Sequence, residues 1–527
     1  MDVLQTQHLN LNSTTNDISY YSQTSSRFIY YVAVGAIVLC AWFFQSPKRD
    51  PRASSPFYEL LQGRSILIVG LFTELTAVVA KFKDRAYQIR STEGVRTIIP
   101  TTLVGELKSL PEDTLSAKTA VSEAMLSEYT HLSADAHSDI LTLLLKTKAT
   151  QNLQRMIPTL KDELQYILAT EFPTCDDWTP FKIQPFMVRT VSRLSGRAFV
   201  GSALSRSEEW MNVSVNFAIT AFIAVTKLQF FPPWIRPVAQ YLVSELKTIR
   251  KDLAKAQAML EPLIKERLSN ADTPGFEKPD DFIQWFSDVL PEEEKRDYFI
   301  QAKMQLLLSA SSIHTTSNLT TDCIYDLAVH QEMQDILREE AIEVFESEEK
   351  ENAWERKDSI ARLKKMDSFI KESQRLSSNV TSFIRKVMKP IDLSDGTHLP
   401  SGTSLLTPLA GISLDERYFP DPEVFDGLRF WKLRQQPESP KPSQSATTAA
   451  SSSSPPASPR SSPPLRNSKY QFTSIGDTNQ NFGLGKHACP GRFFAAQEIK
   501  LILSYLLLHY EIKLRDGEAP SPNPSSS

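Results

Sequence analysis

Cysteine is scarce in this chain of 527 residues. Cys40, Cys175, Cys323 and Cys489 are far apart, and no C-x-x-C pair occurs. That spacing excludes the dense disulfide framework of small secreted domains and the ligand spacing of a structural zinc site; reduced, cytosol-facing thiols fit better. Charge of one sign is not in excess either. Lys and Arg total 58 against 62 Asp and Glu, a formal net charge of −4, with no long basic run. The electrostatic footprint of a nucleic-acid binder is therefore missing. Tryptophan is absent between Trp42 and Trp178, and long apolar runs are limited to one, FIYYVAVGAIVLCAWFF, Phe28 to Phe44. Its length just suffices for the hydrocarbon core of a bilayer, which takes about 17–25 helical residues.

The flanks of that run orient it. No Lys or Arg occurs in the first 26 residues, whereas Lys48, Arg49 and Arg52 come soon after it. The positive-inside rule then makes residues 1–27 lumenal, residues 28–44 a signal-anchor of the endoplasmic reticulum membrane, and everything downstream cytoplasmic. A cleaved signal peptide is the competing reading, but it wants a basic n-region and a small-residue cleavage site, neither of which is seen. Asn12-Ser13-Thr14 is an N-glycosylation sequon that this topology exposes to the lumen. Pro47, Pro51 and Pro56 make residues 45–56 a stiff, non-helical hinge.

With 41% hydrophobic and 23% charged residues, the remaining chain can bury a large core. VSRLSGRAFV, ELKTIRKDLAKAQAMLEPLIKERL and IQAKMQLLLSASSIHTTSNLTTDCIYDLAVHQEM carry apolar residues at helical spacing. GVRTIIP (Gly94–Pro100) and THLPSGTSLLTP (Thr397–Pro408) read as short strands, so the expected class is mainly α with small β-sheets. Residues 434–468 shift abruptly to a Pro/Ser/Ala tract that cannot bury enough apolar surface to offset its ordering entropy, and residues 516–527 look alike; both are expected to be disordered. The apolar stretch Phe217 to Pro237 fits a lid or access region in contact with membrane and a greasy substrate, or equally an ordinary buried helix pair.

The most pointed segment is NFGLGKHACPGRFFA, Asn481 to Ala495. The stretch after Cys489 is apolar nearly all round, as expected of a helix buried in the core. Pro490 suits the first turn of such a helix. A cysteine at its N-terminus would meet the positive end of the helix dipole, which lowers the thiol pKa and favours a thiolate ligand or nucleophile. His487 nearby would suit a hydrolase. Gly483, Gly485 and Gly491 argue instead for a backbone that bends tightly and approaches a flat object, as a thiolate bound to a porphyrin iron requires.

Phe482 to Gly491 resembles the haem-binding loop of the cytochrome P-450 monooxygenases, FxxGx(R/H)xCxG. The resemblance implies the cytochrome P-450 fold, with residues 57–515 as a single haem domain behind the anchor. It makes Cys489 the axial ligand of the haem b iron, Phe482 the ring beside the sulfur, His487 a contact to a haem propionate, and Gly485 and Gly491 part of the cradle. Glu372 and Arg375 in KESQRLSS stand at i, i+3, and Arg429 in FPDPEVFDGLRF resembles the family's arginine that joins them in a buried three-charge cluster. Such a cluster fixes geometry rather than adding net stability.

The segment Ser311-Ser312-Ile313-His314-Thr315-Thr316 is similar to the family's (A/G)Gx(D/E)TT, which lies over the haem. Thr315 falls on the threonine that hydrogen-bonds dioxygen. Its hydroxyl neighbours are expected to open the helical ladder locally. Serine stands in place of the glycine and His314 in place of the acid, where it serves as a proton relay or as a satisfied core histidine. The family's Trp-x-x-x-Arg contact is lacking, with Lys146 or Lys148 as substitutes, and so is its final β-hairpin.

In style the chain is similar to membrane-bound fungal enzymes of secondary metabolism, terpenoid oxidases such as ent-kaurene oxidase among them. The implied activity is insertion of one oxygen atom from O2 into an apolar terpenoid-type molecule. The implied electron source is NADPH through NADPH-cytochrome P-450 reductase, with cytochrome b5 as a further partner. Two alternatives stay open: a reductase-independent haem-thiolate isomerase or dehydratase, from the altered oxygen-side segment, and a non-catalytic haem-binding protein, from the missing hairpin.

Overall fold

The computed structural model describes residues 57–58, 82–91, 94–132, 135–175, 177–346, 354, 358–377, 381–436, 468–515 and 517. The expected lumenal segment, its Asn12 sequon, the anchor 28–44, the hinge 45–56, residues 437–467 of the Pro/Ser tract and residues 518–527 lie outside the described residues.

Helices dominate. The first are α1 (Thr101–Leu107), α2 (Ala117–Ala124) and α3 (Ala136–Leu144), the last running through a π turn (Leu145–Ala149) into α4 (Thr150–Glu171). Then come α5 (Ile183–Phe199), α6 (Glu208–Gln229), α7 (Ser244–Asn270), α8 (Phe282–Val289), α9 (Tyr298–Val329), α10 (Gln331–Phe345), α11 (Lys364–Leu376), α12 (Arg429–Gln435) and α13 (Arg492–His509). Two sheets stand beside them. Strands β1 (Phe57–Tyr58), β2 (Tyr87–Ser91), β3 (Gly94–Ile98), β4 (Leu115–Ser116), β5 (Ser382–Val387) and β8 (Ser404–Thr407) form a six-stranded sheet in the order β1-β2-β3-β8-β5-β4. β6 (Ile391–Asp392) and β7 (His398–Leu399) form a two-stranded one.

The expected class, mainly α with small sheets, is what the chain adopts. Gly94–Ile98 and Ser404–Thr407, far apart in sequence, pair in parallel, Thr97 opposite Leu405 and Ile98 opposite Leu406. The approach to the Cys489 loop is thereby tied to one sheet: Gln480 accepts from Thr407 Oγ1 at 2.6 Å through its side chain, and from Ser382 Oγ at 2.9 Å through its carbonyl.

The 32-residue helix α9 runs through the centre and packs against α5, α6, α7, α11 and α13. Asp297 caps it, its Oδ1 accepting from Ile300 N at 3.0 Å, which satisfies one otherwise orphaned donor. It stops at Val329; His330 takes a non-helical conformation and the chain restarts as α10, so the long helical pattern ending HQEM is two helices. α13 is buried nearly all round, with Ile499, Leu501, Ile502, Leu503, Leu506 and Leu507 all in the core. Its apolar content, without a clear periodic face, is what a helix enclosed on every side requires.

α6 is different. Trp210, Phe217, Ala221 and Leu228 are buried, while Ile219, Phe222 (53% exposed) and Ile223 lie outside, and Phe230 and Trp234 (69%) are exposed in the turn beyond. Among the described residues it is the helix long and apolar enough to cross a membrane by length and composition, yet half of its most apolar window is buried in the protein. It is therefore a core helix with an apolar outer face, not a buried helix pair.

Candidate functional site

Between β8 and α13 the backbone is shaped by two glycines. Gly483 and Gly485 adopt φ of +72° and +65°, in the left-handed region that side chains resist. A Cβ on Gly485 would stand 2.8 Å from the carbonyl oxygen of Lys108, so this loop lies directly on the chain after α1. Cys489 N donates to Phe482 O at 2.7 Å, closing the loop on itself, and the Phe482 ring meets Phe472 edge-on at 5.2 Å. Gly491 is unlike the other two. Its φ of −84° suits any residue and no protein atom lies within 4 Å of where a Cβ would stand, so the protein alone does not demand glycine there.

Two expectations about Cys489 need correction. α13 begins at Arg492 with Gly491 as its cap, which leaves Pro490 outside the first turn and Cys489 a further residue away. The sulfur is also not favoured as a thiolate in the protein alone. Burial pushes the thiol above its ordinary value, against the pull of the Gly491 and Arg492 backbone N–H groups and the Arg492 charge. The residue nonetheless retains an accessible surface. A strongly bound cation at the sulfur would supply the missing stabilisation.

Behind the loop, Glu372 is completely buried on α11 with three partners. Arg375 donates to it through Nε (2.9 Å) and Nη2 (2.8 Å), Arg429 through Nε (3.0 Å), and the Asp426 backbone N–H at 3.1 Å. The remaining guanidinium protons go to carbonyls: Arg375 Nη1 to Ser413 and Pro422, and Arg429 to Pro420, Asp421 and Val424. The structure thus brings together the three charges singled out in the sequence. It adds a second cluster that the sequence reading missed. Asp367, near the start of α11, pairs with Lys500 of α13 at 2.7 Å and with Arg434, and accepts from Phe472 N at 2.8 Å. Although burial opposes it, the Lys500 and Arg434 charges hold this carboxyl down to about 2.

On α9, Ser311 and Thr315 are exposed while Ile313 and Thr316 are buried. The expected break in the helix is absent: the helix is continuous from Tyr298 to Val329. Its hydroxyls back-bond without opening the ladder, Ser311 Oγ to Leu307 O, Thr315 Oγ1 to Ser311 O, Thr320 Oγ1 to Thr316 O and Thr321 Oγ1 to Ser317 O, all between 2.7 and 2.8 Å. His314 Nε2 lies 2.9 Å from the carbonyl of Val215 on α6. A carbonyl only accepts, so Nε2 carries the proton and the ring links α9 to α6.

The sequence profile of the cytochrome P-450 family matches residues 131–527. The chain belongs to the cytochrome P-450 family. It is 33% identical over 452 residues, 85% of this chain and 79% of the other, to a cytochrome P-450 monooxygenase of Emericella nidulans. It is 34% identical over 445 residues (84% and 82%) to one of Annulohypoxylon truncatum, and 32% over 526 residues (97% and 91%) to one of Penicillium roqueforti. Among solved structures it superposes on the retinoic acid-bound cyanobacterial CYP120A1 with a TM-score of 0.59 at 16% identity, covering 84% of this chain and 88% of that one. This last likeness concerns the fold alone. The cytochrome P-450 is accordingly a monooxygenase of the oxidoreductase class, and its family's cofactor is haem.

The residues around the Cys489 loop suit that cofactor's carboxylates. His487 Nε2 is 2.6 Å from Glu112 Oε1, an ion-pair contact without the geometry of a hydrogen bond. Burial, and then the Arg385 charge, push its pKa down, with Glu112 opposing. Arg385 is buried on β5, hydrogen-bonded to the carbonyl of its own neighbour Ile384. Burial pushes its pKa down to about 10. A buried guanidinium and an imidazole next to the cysteine loop suit an anionic edge, and the Glu112 carboxylate already stands against the imidazole. Lys146, on the π turn, donates to the carbonyl of Lys486 in the same loop at 3.1 Å. Of the two lysines offered as substitutes for the missing arginine, it is the one seen to touch the loop.

The sequence did carry a signal for Arg385. Buried positions alternate along β5, and Arg385 occupies one of the core-facing places between Phe383 and Val387. A register shift between Ser382 and Arg385, with Phe383 at φ +52°, re-aims that strand.

Proposed function

We propose that Cys489 would hold a haem b through its thiolate, that His487 and Arg385 would receive its carboxylates, that Phe482, Gly485 and Gly491 would cradle it, and that Thr315 and His314 would serve the oxygen side. When bound, the haem supplies the activation of dioxygen for insertion into an unactivated C–H bond. The chain's own residues position, protect and move protons. The observation that carries this reading is the accessible cysteine held by a Phe482 carbonyl in a two-glycine loop, ahead of a helix enclosed by the core.

The roles divide by location. Arg375, Arg429 and Glu372 fix the backbone behind the loop through hydrogen bonds to five carbonyls, Ser413, Pro420, Asp421, Pro422 and Val424. Thr315 holds a hydroxyl at an exposed point of the central helix, its proton parked on Ser311 O and available to a better acceptor. His314, with Nε2–H fixed by Val215, presents Nδ1 as the atom able to accept and return a proton.

The electron donor we infer is NADPH-cytochrome P-450 reductase, with cytochrome b5 as a second donor. Support comes from the outer side of the cysteine loop, where Lys146, Lys486 and Arg492 line one depression with Gly485, Ala488 and Pro490, a positive rim suited to an acidic partner. The apolar outer face of α6 supports a membrane-associated enzyme with an apolar, terpenoid-type substrate in fungal secondary metabolism. Residues 28–44 supply the endoplasmic reticulum anchor in this reading.

The test is spectroscopic and isotopic. The reduced carbonyl complex of the full-length protein is expected to show the red-shifted Soret band of sulfur ligation, and Cys489→Ala to lose it. With reductase, NADPH and labelled dioxygen, the product of an apolar terpenoid panel should carry the label. A converted but unlabelled product would establish the isomerase or dehydratase reading instead.

A further inference from the structure

Lys371 opens the segment KESQRLSS, immediately before Glu372, and is buried on α11. Its Nζ meets no carboxylate among the described residues. It donates to Gln471 O at 2.7 Å, to Ser474 Oγ at 2.7 Å and to Lys469 O at 3.3 Å, and it lies 4.9 Å from the centre of the Phe430 ring of α12. An ammonium has three N–H donors, and here all three go to one turn, residues 469–474. The Ser474 hydroxyl closes the same turn, donating to Lys469 O or Gln471 O, each 2.6 Å away. The turn is thus wrapped around one buried cation.

That turn reaches both backbone groups of Cys489. Thr473 O accepts from Arg492 Nε at 3.1 Å, and Arg492 Nη1 donates to Cys489 O at 2.8 Å. Phe472 lays its ring against Phe482, whose carbonyl receives Cys489 N. The cysteine carbonyl is therefore tied through Thr473 and Arg492, and its N–H through Phe472 and Phe482.

The charged groups around Lys371 are engaged elsewhere. Asp367, one turn back on α11, has its oxygens on Lys500 of α13, on Arg434 of α12 and on Phe472 N. Glu372 is taken by Arg375 and Arg429, and Glu340 of α10 caps the start of α11 at the N–H groups of Lys364, Lys365 and Met366. The Lys469 ammonium lies over the Tyr470 ring, and Asp322 and Asp326 of α9 act at Ser377 and Ser373, on the other side of α11. Burial brings the Lys371 pKa down to about 7, the Asp367 charge opposing and the Arg434 charge adding to the fall. Loss of the proton changes the turn. A neutral amine has two N–H donors and a lone pair, so it keeps both carbonyls only if the Ser474 hydroxyl turns its proton to the nitrogen; the hydroxyl then no longer closes the turn.

We propose that Lys371 is a positioning residue for Cys489, acting through the turn 469–474 and, beyond it, Arg492 and Phe482. The ammonium holds the turn closed and the cysteine backbone in place; the amine leaves the turn one bond looser. The role of the lysine before the Glu372 cluster is thereby separate from that cluster, which fixes a different stretch of chain, Ser413 to Val424.

The proposal rests on Cys489 as the haem ligand, and the experiment separates the two. In the full-length holoprotein, the reduced carbonyl complex is followed over time on both sides of pH 7 for loss of the red-shifted Soret band of sulfur ligation. Wild type should lose the band several-fold faster on the alkaline side. Lys371→Met, which keeps an unbranched chain against Phe430 but carries no proton, should lose it at the fast rate at every pH, and hydrogen exchange of the Phe472 and Cys489 amides should quicken. Ser474→Ala, at a half-buried position, should move the wild-type midpoint to lower pH, because the ammonium forfeits an acceptor. A Lys371→Met protein with wild-type rates and pH profile overturns the positioning role and leaves the ligand assignment standing. So does one that loses the band faster but keeps the wild-type pH step, since the lysine then acts by packing. Should Lys371→Met fail to fold, an unmoved midpoint in Ser474→Ala overturns it as well. If wild type shows no red-shifted band at any pH, the ligand assignment falls and the positioning role with it.

Discussion

Around Cys489 the chain is held by charge, whereas along α9 it is held by neutral hydroxyls. Glu372 has two guanidinium groups and a backbone N–H on one carboxylate, and Asp367 has an ammonium, a guanidinium and a backbone N–H on another. On α9 the hydroxyls of Ser311, Thr315, Thr320 and Thr321 return to their own helix, and Ser312 meets the hydroxyl of Ser195. Saturated buried ions have one arrangement and are costly to disturb. Hydroxyls can rotate and exchange partners at small cost. Under the proposed function, the first suits a loop that holds its sulfur in place and the second a surface over which protons move.

The contrast is broken most severely at Glu372. Glu372→Gln leaves Arg375 and Arg429 buried without a countercharge, and removing one partner of such a cluster costs about 3–5 kcal/mol. Denaturant titration should register that loss, together with poor retention of haem. A change below about 1 kcal/mol, the size of a surface pair, would show that the cluster is not the anchor of the loop.

Gly485→Ala should come next. It places a side chain at φ +65° and a Cβ 2.8 Å from Lys108 O, a backbone atom that cannot swing away. Left-handed strain alone is worth about 1–3 kcal/mol, and the clash adds to it. Gly491→Ala is the matched control, since the protein surrounding Gly491 leaves room for a methyl group. It should fold with unchanged stability in the haem-free protein and lose haem affinity if the cradle reading holds.

Asp367 sharpens the contrast through pH. Its folded pKa of about 2 lies below the ordinary 3.8, so its contribution is fully present above the unfolded value and is lost as pH falls from the ordinary value towards the folded one. The shift corresponds to roughly 2 kcal/mol. Asp367→Asn should be less stable than wild type at neutral pH, and the difference should shrink as the medium is acidified towards pH 2. A difference independent of pH would assign the loss to packing.

How much of this was legible in the sequence runs along the same division. Glu372, Arg375 and Arg429 could be found because the spacing of such a cluster is fixed by one rigid geometry, and the structure gathers both arginines on one carboxylate. The long helices and the strands at Gly94–Ile98 and Ser404–Thr407 came from periodicity. Asp367, Lys500 and Arg434 were missed because their partners are distant in sequence and a lone charge usually means a solvated surface, and Arg385 was missed although the alternation along β5 places it inward. Ser195 and Glu498 lie 303 residues apart, and no local pattern announces that a helix inside the core will set one against the other. The expected opening of α9 failed because back-bonding hydroxyls bend a helix without necessarily breaking it, and the local reading weighed the competition without the packing of α5 and α13 around the helix.

The smallest expected effect lies at the junction of the two kinds of region. His314 sends Nε2–H across to Val215 O, a carbonyl of the helix whose outer face is apolar and exposed. His314→Leu removes one neutral hydrogen bond and should cost about 1 kcal/mol of stability. Its larger consequence should be local. α6 keeps its buried residues Phe217 and Ala221 against the core but loses a directional tie to α9, so hydrogen exchange of the amides near Val215 should quicken while those of α11 stay protected. His314→Gln, which can still donate to that carbonyl, should restore slow exchange without restoring a titratable nitrogen. If Gln rescues the exchange but not the coupling of NADPH to product, the ring is a relay as well as a tie. If it rescues both, His314 holds α6 in place and is no relay.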